Sequence, residues 1–166
     1  MFQFLRKRKI NAKPGKVALA QRVAGISIEL AATACFDSTL SVEGNDNHIV
    51  IGEGSDVRGS IRIKGTGHHI TIGCNVNMND DILIQGSGNK IIIGNNVTLG
   101  GSLSIKGRNQ FIDIGDRTTA RDMRLLCQEG QYVKIGRDCL FSRRVEIRTT
   151  DSHALISRET GKRLNP

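Results

Sequence analysis

Four histidines (His48, His68, His69, His153) and four cysteines (Cys35, Cys74, Cys127, Cys139) are the side chains of this 166-residue chain best suited to chemistry. An imidazole trades a proton near neutral pH and can ligate a metal through either nitrogen. The cysteines are scattered, with no C-x-x-C pair, so neither a zinc ribbon nor a dithiol redox site is written into them. With no export signal ahead of them, they read as reduced, mostly buried thiols of a cytoplasmic protein. His68 and His69 are strand neighbours and point to opposite faces, which leaves His48 and His69 as two imidazoles without a carboxylate, a poor metal site. No metal is expected. Asp80-Asp81 and Asp113/Asp116 read as corner carboxylates, and Arg143-Arg144 as facing either solvent or the phosphates of a ligand. Gly65-Thr66-Gly67 and Gly86-Ser87-Gly88 do not sit between a strand and a helix, as a phosphate-cradling loop requires. No serine or cysteine lies in a nucleophile elbow.

The elements that must position these residues are repeats. Ile-Gly recurs at Ile51-Gly52, Ile72-Gly73, Ile93-Gly94, Ile114-Gly115 and Ile135-Gly136, always 21 residues apart. Self-similarity at a fixed period of this length implies stacked units rather than a closed globule. Within 87–107 the apolar pairs Ile91/Ile93, Val97/Leu99 and Leu103/Ile105 alternate with period 2 and begin six residues apart. Three short strands per copy, with a corner rich in Gly, Asn and charge, make a single-stranded parallel β-helix. Six-residue sides suit a left-handed coil, and a 21-residue turn also suits a right-handed one. A looser first copy occupies 24–44, and a further copy is expected from Thr150, with Ala154 and Ile156 in the apolar columns. His153 then shares an outer column with His48, His69, Lys90, Phe111 and Tyr132, where a histidine without a motif around it is ordinary surface. The organisation expected is an N-terminal basic arm over 1–23, about six coils over 24–157, and a loop over 158–166. A short helix over Lys16–Val23, after Pro14, would cap the first coil.

Composition agrees with an all-β solenoid built from aliphatic side chains: Gly 19, Pro 2, Phe 5, Tyr 1 and no Trp. The net charge of +8 suggests a nucleic-acid binder until it is located. Residues 1–22 hold Arg6, Lys7, Arg8, Lys9, Lys13, Lys16 and Arg22 and no acid, which leaves the rest of the chain near charge balance. No nucleic-acid partner is expected. The arm reads as solvated, or as a weak membrane contact through residues 1–9 in which Phe2, Phe4 and Leu5 meet an anionic leaflet.

The last 32 residues carry the specific signal: Ile135-Gly136-Arg137-Asp138-Cys139-Leu140-Phe141-Ser142, Val145-Glu146-Ile147-Arg148-Thr149, Thr150-Asp151-Ser152-His153, and Glu159-Thr160-Gly161-Lys162-Arg163-Leu164-Asn165-Pro166. They resemble the left-handed β-helix, hexapeptide-repeat O-acyltransferases, in particular bacterial capsular and surface-polysaccharide O-acetyltransferases. The resemblance implies transfer of an acetyl group from acetyl-CoA to a sugar hydroxyl, by a cytoplasmic homotrimer with active sites between subunits. It places the catalytic base on His153, with Asp151, Ser152 and Arg148 as contacts for the sugar acceptor. An imidazole base that activates the acceptor directly needs no covalent enzyme intermediate. In the resembled family further coils follow the Asn-Pro and help to form the coenzyme groove. The expectation is therefore an N-terminal part of such an enzyme, truncated and of doubtful activity alone, with its last coil left open. The alternative is a non-catalytic β-helix scaffold or remnant. A secreted, lyase-like right-handed β-helix fits less well, since no acidic-basic catalytic cluster is present.

Overall fold

Isoleucine, valine and leucine two residues apart, at fixed places in every 21-residue unit, can bury one face only as strands. The computed structural model describes residues 7–12, 19–23, 25–150 and 153–164, and in it each unit is one turn of a parallel β-helix, with no helix among the described residues. Two strands, β1 (Lys7–Ala12) and β2 (Leu19–Val23), precede the coil. Five turns then pair a short strand with a long one: β3 (Ile26–Leu30) with β4 (Cys35–Glu43), β5 (Asn47–Ile51) with β6 (Asp56–Thr66), and β7 (His69–Ile72) with β8 (Asn77–Ser87). The series continues with β9 (Lys90–Ile93) and β10 (Thr98–Arg108), then β11 (Phe111–Ile114) and β12 (Thr119–Gln128). The sixth turn is β13 (Tyr132–Ile135), β14 (Leu140–Phe141) and β15 (Val145–Arg148). Long strands stack in one eight-stranded sheet and short strands in a seven-stranded one. Within the long strands Gly59 (φ 108°) and Gly101 (φ 131°) bend the backbone between two apolar sets, Val57 and Ile61/Ile63 in β6 and Leu99 and Leu103/Ile105 in β10, so two of the three short strands expected per copy run on as one.

Parallel register piles like on like. Ile28, Ile49, Ile70, Ile91, Ile112 and Val133 form one interior column, and Leu30, Ile51, Ile72, Ile93, Ile114 and Ile135 form the next. Phe36, Val57, Met78, Leu99 and Ala120 line another wall and are all buried. Such ladders make stability a sum of turn-on-turn contacts.

The corners demand unusual backbone. Asn75, Asn96, Arg117 and Asp138, one per turn, all have φ between 54° and 59°, the left-handed region that asparagine and aspartate tolerate best. Gly65 and Gly86 lie at φ +121° and +114°, and a Cβ on either would run into the carbonyl oxygen of the glycine in the next turn. Glycine is therefore required there.

Four sequence expectations need correction. Leu19–Val23 is not helical: it pairs antiparallel with β3, and β1 pairs antiparallel with β4. The first turn otherwise presents two rows of unpaired amides and carbonyls, and satisfying them outweighs local helical preference. The rest of the helix expectation, and residues 1–6, lie outside the described residues. Coil repetition stops at Arg148: Leu155 and Ile156 are 56% and 53% exposed, and Ala154 is exposed too. The segment after them is polar and folds on itself, with Ile156 bridged antiparallel to Arg163. The strict period also fails within β12, where the register shifts between Leu99 and Gly101 of its partner strand. This bulge puts Leu125 and Cys127 in the core and leaves Arg124 exposed, where unbroken 21-residue spacing would have turned the guanidinium inward. Finally, of the four free cysteines only Cys127 is buried; Cys74 is exposed, and Cys35 and Cys139 are half-buried. Cys74 follows the Gly73 corner, where the chain turns outward.

Candidate functional site

The segment that carries His153 leaves the coil at the end of β15. Thr149 fastens it there: the Thr149 hydroxyl accepts from the Gln128 amide at 2.8 Å and donates to the Gln128 carbonyl at 3.0 Å. Beyond it, residues 155–164 close into a loop through Leu164 N–H to Leu155 O at 2.7 Å and Ser157 N–H to Lys162 O at 2.9 Å. Arg163 donates to Glu129 Oε1 at 3.1 Å, which straps the loop to the corner after β12. His153 lies between these two anchors, and it is exposed. An imidazole there is open to solvent on the outside of the solenoid, where a ligand can reach it.

The other expected contacts are placed unevenly. Arg148 ends β15 with its guanidinium directed at Glu146, two residues back on the same outer face, at 2.6–2.7 Å. It is half-exposed and faces away from the core. Asp151 and Ser152 lie outside the described residues. Arg143 and Arg144 are exposed at the bend between β14 and β15. Asp116 is a corner carboxylate, accepting the Asn95 amide at 2.7 Å, whereas Asp113 is mid-strand on β11, 3.9 Å from Lys134. Asp80, read as a corner carboxylate, is buried.

His48, His69, Lys90, Phe111 and Tyr132 do form one outer column, each in register with the next. His153 is not paired into it, because the ladder ends with β13 and the chain beyond β15 follows its own loop. His48 and His69 stack face to face, with centroids 5.0 Å apart and planes within 11°. Their in-plane lone pairs then run parallel instead of converging, the wrong arrangement for a shared metal. Among the described residues no group of three or more His, Cys, Asp or Glu side chains is placed to hold a metal ion. His48 Nδ1 lies 2.6 Å from Ser27 Oγ at the edge of an open cavity of about 610 Å³, which Asp46 also lines. That cavity is at the first turns, the opposite end of the solenoid from His153.

A buried polar ladder escaped the sequence reading although its signal was there. Asn47, His68, Asn89 and Gln110 stand 21 residues apart and are almost wholly buried. Each side chain accepts the amide of the next member: His68 N–H to Asn47 Oδ1 at 3.1 Å, Asn89 N–H to His68 Nδ1 at 3.2 Å, Gln110 N–H to Asn89 Oδ1 at 3.0 Å. Polar residues at one fixed column mark a satisfied corner, not a site.

Comparison with known proteins adds a likeness of fold. No protein-family model matches the chain, and no curated protein matches it. Among solved structures, the chain is similar to the crystal structure of the polySia-specific acetyltransferase NeuO, at 19% identity and a TM-score of 0.37. The match covers 85% of this chain and 56% of that one, so the chain spans little more than half of that structure's length.

Proposed function

We propose that the chain is an O-acetyltransferase, or the N-terminal part of one, moving an acetyl group from acetyl-CoA to a sugar hydroxyl of a surface polysaccharide. The observation that carries the proposal is an exposed His153, set in Asp151-Ser152-His153 directly after the last coil and tethered on both sides. The imidazole takes the proton of the acceptor hydroxyl as its oxygen attacks the thioester carbonyl. Collapse of the tetrahedral intermediate expels the coenzyme A thiolate, which recovers the proton. Acetyl-CoA is a substrate here, and Arg148, Asp151 and Ser152 are proposed to hold the acceptor. Trimeric assembly, a cytoplasmic location and a weak contact of residues 1–9 with an anionic membrane belong to the same proposal.

Loss of a general base lowers turnover by roughly 10²–10⁴. Acetyl transfer from acetyl-CoA to an oligosaccharide, followed by coenzyme A release, should fall by that factor in His153→Ala. Turnover within a few-fold of the parent protein removes His153 from the chemistry.

The second reading is a non-catalytic scaffold. It draws on the cavity beside Ser27 and His48, which lies at the far end from His153. Calorimetric titration with acetyl-CoA separates the two: sub-millimolar binding supports the transferase, and no heat of binding supports the scaffold.

A further inference from the structure

Asp80 plays no part in the proposed transfer. It lies on β8 in phase with the buried Met78 and Ile82, so its side chain points inward, and it is only 3% exposed. Its column through the bend of the long strands reads Ser38, Gly59, Asp80, Gly101. Both direct neighbours are glycines, at φ +108° and +131°. They leave space for the carboxyl group above and below, and they offer it no side-chain donor. Asp80 Oδ1 is buried with no hydrogen-bond partner.

The charges nearby do not help an anion. On β8, Asp81 faces outward and accepts from Ser60 Oγ at 2.6 Å, adding like charge. On β6, Arg58 is committed to Asp56 at 2.6 Å and is exposed. On β10 the facing residues are Gly100, Gly101 and Ser102. Across the interior the buried side chains are aliphatic or uncharged, and His68, the buried base, is tied into its own corner ladder. A carboxylate in this setting is desolvated without compensation, and the neutral acid costs far less to bury there. Burial first, then the Asp81 charge, push the group up to about 7.

We propose that Asp80 is a protonation switch built into the coil. With a proton bound, the β6–β8–β10 bend closes around the acid; release of that proton to solvent leaves an anion that draws in water and loosens the bend. Two measurements on the intact chain test this. Carbon-13 NMR of the aspartate carboxyls should show one signal with a midpoint within about a unit of 7, and amide exchange in β6, β8 and β10, corrected for intrinsic rates, should quicken about tenfold or more above it. In Asp80→Asn that exchange step should vanish. Asp81→Asn, an exposed change that keeps Asp80, should lower the midpoint while leaving it well above the ordinary aspartate range. A midpoint near 4 in the parent protein overturns the proposal, as does an exchange step that persists in Asp80→Asn.

Discussion

His68 stays neutral because its Nδ1 is held as an acceptor. Nδ1 accepts the Asn89 amide, so the proton sits on Nε2, directed at the Lys64 carbonyl 3.4 Å away. Burial, the largest influence, holds its pKa below the ordinary value. In the unfolded chain the imidazole takes a proton near about 6.5. Below that pH the unfolded state therefore binds the proton more readily, and stability is lost as pH falls from there through the folded pKa. Asp80 runs the other way: its folded value is raised to about 7, so its contribution is whole below the unfolded value and fades as pH rises to about 7. Urea unfolding of His68→Asn at pH 7.5 should come within about 1 kcal/mol of the parent protein, because asparagine already fills the same column at 47 and 89. At pH 5 the variant should gain relative to the parent. His68→Leu should cost about 1–3 kcal/mol, having orphaned the Asn89 amide. An Asn variant that loses stability equally at both pH values would show that proton linkage is not at work.

At the scale of the element, glycines of two corner columns, two positions apart in the repeat, differ in what they tolerate. Gly86 combines φ +114° with a Cβ path blocked by the Gly107 carbonyl, so Gly86→Ala should cost more than about 2 kcal/mol. Gly67 has φ +68°, and a Cβ there has its nearest contact at 3.8 Å. Asp46 and Asn109 take the same conformation at equivalent corners, so Gly67→Asn should change stability by less than about 0.5 kcal/mol. Thermal unfolding of the two variants checks both; equal losses would mean that the stacked corner is not rigid. The same contrast explains what the sequence could reveal. Period, columns and corner residues were legible because identical side chains recur at identical places. The bulge that turns Leu125 and Cys127 inward was not, since inserting one residue at Arg121-Asp122 is invisible to a fixed period. Asp80 was misplaced because only the neighbouring turns, glycine in both, let a carboxyl point inward. The environment of His153 was illegible for another reason: its loop obeys no repeat and is held by a long-range strap, Arg163 to Glu129.

For the whole molecule, β1 and β2 reverse direction at the first turn and cover sheet edges that parallel strands would otherwise leave open. Removing residues 1–12 should expose the β4 edge, and light scattering should then report concentration-dependent association that the parent protein lacks. A monodisperse truncated protein would mean that β4 needs no cover. The strap at the other end is an exposed ion pair and should contribute no more than about 1 kcal/mol. The stacked register has a geometric corollary. Because every interior column repeats after 21 residues, excising 66–86 joins Gly65 to Ser87 with each wall still facing its own kind. The cut would shorten the rod by one spacing of about 4.8 Å and leave every surface residue on its original side. The chain is thus a ruler graduated in turns, and the number of copies alone sets how far the imidazole at 153 stands from the one at 48.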